Sequence, residues 1–251
     1  MIGTLREALK KGKPLVGTLL TVDSTEVAEA LALSGFDWIF VDLEHGSLSL
    51  HDAQRALQAI ANRCHTLVRV PDGTTENIKR VLDMGCSGII VPMVNTAAYA
   101  QRIAALSKYP PVGERSVGIG RAQGYGLRFT EYLEVANEQT TVVVQIEHRD
   151  AVADVDQIVA VPGIDAVFVG PYDLSNSMGL VGQVSHPDVR AAIDKVRAAC
   201  AQTNLPTGIF CSTAEQAVRE IHAGVTLLAV GADISLMTNS AKLLMDAVRA
   251  S

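Results

Sequence analysis

At 251 residues with 48% hydrophobic side chains, the chain can bury a large core, as one α/β barrel or two small domains. The net charge of −6 comes without a basic run, which excludes nucleic acid as a partner, because neutralising phosphates takes clustered Lys and Arg. No apolar run approaches the roughly 20 residues of a membrane helix, and MIGTLREALKKGKP lacks a secretory apolar core. Cys64, Cys86, Cys200 and Cys211 lie far apart without a Cys-x-x-Cys pair, as reduced thiols of a cytoplasmic protein would.

In chain order, short apolar runs alternate with segments of helical period. PLVGTLLTV (14–22) precedes STEVAEALALSGF, and WIFVDL (38–43) precedes LHDAQRALQAIAN. TLVRVP (66–71) precedes TTENIKRVLDMG, and GIIVPMV (88–94) precedes AYAQRIAALSKY. TVVVQIE (141–147) and DAVFVGP (165–171) follow, then HPDVRAAIDKVRAAC, PTGIFC (206–211), TAEQAVREIHAG and TLLAVGA (226–232). Near-continuous apolar strands mark a parallel sheet covered on both faces, and Ser or Thr caps with closing glycines bound several helices. Eight such units in about 250 residues predict a closed (β/α)8 TIM barrel. A doubly wound open sheet would carry a Gly-rich fingerprint after its first strand, and LLTVDSTEV has none. With no linker or composition break, the reading is one domain, 1–251. The stretch 112–140 is too long for an ordinary αβ connection. It is expected as a loop at the N-terminal end of the barrel, structural or in subunit contacts. Its glycines with Arg115, Arg121 and Arg128 leave phosphate cradling open.

A barrel gathers the C-terminal ends of its strands around one opening, where active sites sit. That rim would carry Asp42, Glu44 and His45 after strand two, Arg69 on three, Pro92 and Met93 on four, and Gln145 and Glu147 on five. Gly170 and Asp173 follow strand six, Phe210 and Ser212 strand seven, Gly231 and Asp233 strand eight. Glu147 and Asp173 come from neighbouring strands, about 4.8 Å apart, so they repel unless a proton or cation lies between them. A hard divalent ion suits two carboxylates, with water or substrate completing its shell. Alternatively, Glu147 pairs with Arg149 and Asp173 caps the turn DLSNSMG. Arg69, the only cation at a strand end, asks for an acidic ligand or a carboxylate such as Glu44 or Glu147. Asp42 can hold one ring nitrogen of His45 and leave the other as a base, or His45 is merely exposed. The other histidines fall on helices or turns, and His148 would face away from Glu147.

Together, and in this order, FDWIFVDLEHG, LVRVP, GCSGIIVPMV, GERSVGIGRAQGYG, VVVQIEHRDAV, GIDAVFVGPYDLS and LLAVGADISLM resemble the HpcH/HpaI aldolase family across essentially the whole chain. The set is specific where no single piece is. The resemblance implies a class II, metal-dependent pyruvate aldolase, similar to 4-hydroxy-2-oxoheptanedioate and 2-keto-3-deoxy sugar-acid aldolases. It implies that Glu147 and Asp173 hold a divalent metal (Mg2+, Mn2+ or Co2+) and that Arg69 contacts the keto oxygen of pyruvate. His45, oriented by Asp42, would be the acid/base. Backbone amides of Tyr172 and Asp173 would receive the pyruvate carboxylate, since Pro171 has no N–H. Gln145 would floor the site and Glu44 support it. The family also implies a homo-hexamer with an exchanged C-terminal helix, which suits LMTNSAKLLMDAVRAS, and a long loop that brings Arg121 to a neighbouring subunit's substrate. His148, where relatives carry a small hydroxyl residue, and the variant RAQGYG leave the aldehyde open.

The expected reaction is reversible retro-aldol cleavage of a 4-hydroxy-2-oxo acid to an aldehyde and pyruvate, or a close 2-oxo acid such as hydroxypyruvate. The lack of a lysine at any strand end argues against a Schiff-base aldolase. A citrate lyase β-like acyl-CoA lyase would need a basic CoA groove, which the sequence does not display. A phosphate-sugar isomerase leaves the paired carboxylates unexplained, and a non-catalytic ligand-binding barrel has no use for them.

Overall fold

Eight parallel strands close into a barrel in sequence order, with β8 pairing to β1. They are β1 (Leu15–Leu20), β2 (Trp38–Asp42), β3 (His65–Arg69), β4 (Gly88–Val91), β5 (Thr141–Ile146), β6 (Ala166–Val169), β7 (Thr207–Cys211) and β8 (Leu227–Ala232). The computed structural model describes residues 3–250. Met1, Ile2 and Ser251, at the ends of the expected 1–251 domain, lie outside the described residues.

Successive residues of a strand point to opposite faces. Trp38, Phe40, Leu67, Ile90, Val143, Phe168 and Leu227 therefore fill the barrel interior, while Ile39, Val41, Val68, Ile89, Val144 and Val167 meet the helices. Phe40 lies edge-on to Phe168 with centroids 5.5 Å apart and stacks on Trp38. Gly17 makes room for that indole, since a Cβ there would sit 2.6 Å from the ring. The end opposite the mouth is plugged by α1 (Leu5–Lys10), whose Leu5 and Leu9 join the interior cluster. With the lower layers filled by apolar packing, polar chemistry is left to the layer above Phe40 and Leu67. The same alternation delivers Asp42, Arg69 and Gln145 into that layer, and Asp42 stands directly opposite Arg69 in the β2–β3 register.

Side-chain caps Ser24, Ser49, Thr74 and Thr96 open α2 (Thr25–Leu33), α3 (Leu50–Ile60), α4 (Thr75–Asp83) and α5 (Ala97–Ser107), as the sequence signals predict. The stretch 112–140 differs from expectation. It holds a 3-10 turn at Arg121–Gln123 and then a helix, α6 (Phe129–Gln139). Only Ala136 of α6 is buried, so the apolar stripe that would have announced a helix is thin. Short α7 (Arg149–Ala153) and α8 (Val155–Ile158) follow β5, and α9 (Pro171–Ser177) precedes α10 (Pro187–Gln202) after β6. Then come α11 (Ala214–His222) and α12 (Asp233–Arg249). Asp233 closes the rim by accepting hydrogen bonds from the Thr21 N–H, the Thr21 hydroxyl and the Val22 N–H, tying the exit of β1 to β8. Beyond Asp233 no residue of α12 is buried; Met237, Leu243 and Leu244 stand exposed. Among the described residues no helix is long and apolar enough to cross a membrane.

Candidate metal and substrate site

Arg69 is buried at the mouth and gripped from two sides. Its Nε donates to Asp42 Oδ1 at 2.9 Å and its Nη2 to Asp42 Oδ2 at 2.7 Å, while Nη1 lies 3.1 Å from Glu44 Oε2. The guanidinium also sits 5.0 Å above the Phe40 ring centroid. A guanidinium has five N–H donors. Two are hydrogen-bonded to Asp42, and Glu44 Oε2 receives no hydrogen bond from any described residue, which leaves three N–H groups for a ligand. Burial alone would raise the Asp42 carboxyl, but the hydrogen bonds and charge of Arg69 outweigh it and hold the group below the usual carboxylate range. Burial likewise works against the Arg69 cation, and Asp42, Glu44 and Glu147 reverse it.

Glu147 follows β5 and is 2% exposed. The Met93 N–H donates to its Oε1 at 2.7 Å, and the Gln145 amide nitrogen donates to its Oε2. Desolvation is the main cause of its raised pKa, with the negative charge of Asp173 adding to it; the hydrogen bonds from Gln145 and Met93 oppose the rise. Asp173 itself is exposed, in the first turn of α9. Gly170 leaves space for the cluster: a Cβ there would lie 2.6 Å from Glu147 Oε2 and 3.1 Å from the Gln145 amide nitrogen.

Neither of the structural pairings that the sequence left open for Glu147 and Asp173 is formed. Glu147 does not pair with Arg149, whose nearest carboxylate is Asp150 at 4.0 Å, and Asp173 caps nothing, because no side chain caps α9. A buried carboxylate and an exposed one feel each other's charge, and beside them the buried Gln145 Oε1 receives no hydrogen bond from any described residue. This all-oxygen set fits a hard divalent ion. Among the described residues no three His, Cys, Asp or Glu side chains gather as a cage, so Glu147 and Asp173 would be the protein's share of the shell.

One expectation needs correction. Asp42 does not hold the His45 ring: both its oxygens face Arg69, and Oδ1 also accepts the backbone N–H groups of Glu44 (3.0 Å) and His45 (3.4 Å). The exposed His45 imidazole instead has Nε2 3.7 Å from Glu44 Oε2. Arg121, expected at a neighbouring subunit's substrate, lies within its own chain on the side away from the mouth. Its Nη1 donates to the Met84 carbonyl at 2.8 Å and its Nη2 to the Leu57 carbonyl, at the C-terminal turns of α4 and α3, at the far end of the barrel. The Tyr172 side chain leans along the rim toward β7, with its hydroxyl 2.7 Å from Ser212 Oγ and its ring 6.1 Å from that of Phe210. His148 accepts the Asp150 N–H on Nδ1 at 3.2 Å and so caps α7, the work a small hydroxyl residue would do there.

The grip on Arg69 has a measurable cost. Burial, less the attraction of Arg69 and helped by the repulsion of Glu147, pushes Glu44 up to about 6 from its ordinary 4.5. The folded chain then binds this proton more tightly than the unfolded one. The stability it contributes is whole below pH 4.5 and lost as pH rises through 6. In metal-free protein, Glu44→Gln should therefore gain stability relative to the parent between pH 4.5 and 7.5, by up to about 2 kcal/mol. Urea melts at the two pH values measure this; a constant difference would contradict it.

A family model described as HpcH/HpaI aldolase/citrate lyase matches residues 16–240. The chain belongs to the HpcH/HpaI aldolase/citrate lyase family. Within that family it is 37% identical over 246 residues to a hydroxypyruvate/pyruvate aldolase of Roseobacter denitrificans, covering 96% of this chain and 95% of the relative. It is 38% identical over 247 residues to a 4-hydroxy-2-oxo-heptane-1,7-dioate aldolase of Escherichia coli, covering 97% and 94%. The crystal structure of an HpcH/HpaI family protein from Burkholderia cenocepacia superposes with a TM-score of 0.95 at 36% identity, over 98% of both chains. The family's name spans aldol and citrate cleavage, so the choice of reaction returns to the side chains at the mouth.

Proposed function

We propose that the chain is a divalent-metal-dependent aldolase that reversibly cleaves 4-hydroxy-2-oxo acids into an aldehyde and pyruvate, or a close 2-oxo acid such as hydroxypyruvate. The observation that carries this reading is the buried Glu147 beside Asp173, facing an Arg69 with donors to spare. A divalent ion held by these carboxylates would act as a Lewis acid toward the 2-oxo group. The Arg69 N–H groups not bound to Asp42 would bring positive charge to the oxygen where the enolate forms. The amides of Tyr172 and Asp173 receive the acid's carboxylate. His45 takes the 4-hydroxyl proton; the C3–C4 bond then breaks, its electron pair moves into the enolate, and the aldehyde departs. The proton held by His45 is then delivered to C3, which yields the 2-oxo acid and restores the base. Amine chemistry finds no support here. The one buried lysine among the described residues, Lys108, lies at the plugged end and donates to the Asn137 and Thr140 carbonyls.

The test is a panel of 4-hydroxy-2-oxo acids of graded length and charge, with pyruvate release coupled to lactate dehydrogenase. Cleavage of several members is expected. Inertness toward all of them, with turnover of an acyl-CoA ester instead, would replace this reading by the citrate lyase one. We also propose a homo-hexamer in which α12 is exchanged between copies, supported by the apolar residues it exposes. Light scattering should give six chains in the intact protein and fewer after deletion of α12. The four free thiols support a cytoplasmic location.

A further inference from the structure

Residue 93 follows β4 and Pro92 and turns the chain with a left-handed backbone, φ 53°. A side chain with a Cβ disfavours that conformation, and Gly or Asn adopts it more readily. The other non-glycine residues with positive φ among the described residues are Ala61, Tyr125 and Asn204, and their N–H groups donate to backbone carbonyls. Met93 alone among these four sends its N–H to a charged side chain, Glu147 Oε1 at 2.7 Å. The next amide, Val94, donates to the Gln145 carbonyl at 3.2 Å, so the turn is stitched to β5 twice. The Met93 side chain is 44% exposed and fills no core space that would explain the strain. Backbone strain persists where its surroundings over-determine it, and it clusters at ligand sites.

We propose that the left-handed amide of Met93 is a positioning device for the metal-binding carboxylate, and that it sets the affinity for the ion. The inference rests on reading Glu147 as a ligand. With Gln145 holding Oε2 and Met93 holding Oε1, the carboxylate plane is fixed at both oxygens, and each keeps a lone pair for the cation. Released from Met93, it would pivot on Gln145 alone and present those lone pairs in many directions.

The experiment compares Mn2+ affinity by calorimetry in the full-length parent, Met93→Gly, Met93→Asn and Met93→Val. Glycine and asparagine accept the left-handed backbone, and β-branched valine resists it. Loss of a residue that orients a metal ligand weakens affinity by about 10–100-fold. Met93→Val should show a loss of that size, while the other two stay within about twofold of the parent. If Met93→Val does not fold, Met93→Ala takes its place, with a weakening of a few-fold expected. Valine binding Mn2+ as tightly as methionine, or glycine losing as much as valine, would overturn the proposal. A parent that binds no Mn2+ would sink the metal reading itself. Metal-free crystal structures would then still judge this inference: it requires the Glu147 carboxylate to move in Met93→Val and stay in Met93→Gly.

Discussion

An Arg69→Ala chain is expected to lose about 10²–10³-fold in kcat for 2-oxo acid release and to be about 3–5 kcal/mol less stable. The two losses have different origins. The kinetic one follows from removing the guanidinium proposed to steady the developing enolate oxygen. The stability loss follows from leaving Asp42, 1% exposed, in the barrel interior without its cation. Burial, which Arg69 now outweighs, would then drive the Asp42 carboxyl upward and favour its protonation. Lysine should not rescue, because a point charge cannot grip both Asp42 oxygens in a fork and still present the remaining donors. Steady-state kinetics with denaturant melts read both losses. A variant that loses stability yet keeps kcat would reduce Arg69 to a structural ion pair.

Chelation should abolish cleavage. Dialysis against a chelator is expected to lower activity by about a thousandfold or more, since Lewis-acid stabilisation of the enolate is worth several kcal/mol. Added Mn2+ or Mg2+ should restore the parent and leave Glu147→Gln inactive. The same ion should stabilise the parent against heat, by about 2.7 kcal/mol at a hundred times its dissociation constant, and leave the variant's transition unmoved. Full activity in the chelated parent would end the metal account.

Much of the fold was legible because a covered parallel strand has to be apolar on both faces, and runs such as WIFVDL and TVVVQIE show it. Helix α6 was hidden behind Gly118, Gly120, Gly124 and Gly126, and it buries too little to display a stripe. At the site, strand-end position named Asp42, Arg69, Glu147 and Asp173, but partners were beyond reach. The bidentate Asp42–Arg69 pair depends on β2 and β3 aligning with Trp38 opposite His65, an offset no local pattern encodes. Asp42 therefore read as a partner for nearby His45. The Met93 amide escaped for the same reason: a backbone donor carries no residue-type signal, and its left-handed turn falls on a methionine. The hold of Arg121 on the ends of two helices of its own chain was equally out of reach, a contact across 37 and 64 positions of sequence.

The most direct measurement is Mn2+ binding by paramagnetic resonance to the parent, Glu147→Gln and Asp173→Asn, with and without pyruvate. The account predicts one ion per parent chain, a spectrum altered when pyruvate is added, and loss of binding in both variants. Undiminished Mn2+ binding by either variant, or a parent spectrum blind to pyruvate, would contradict it.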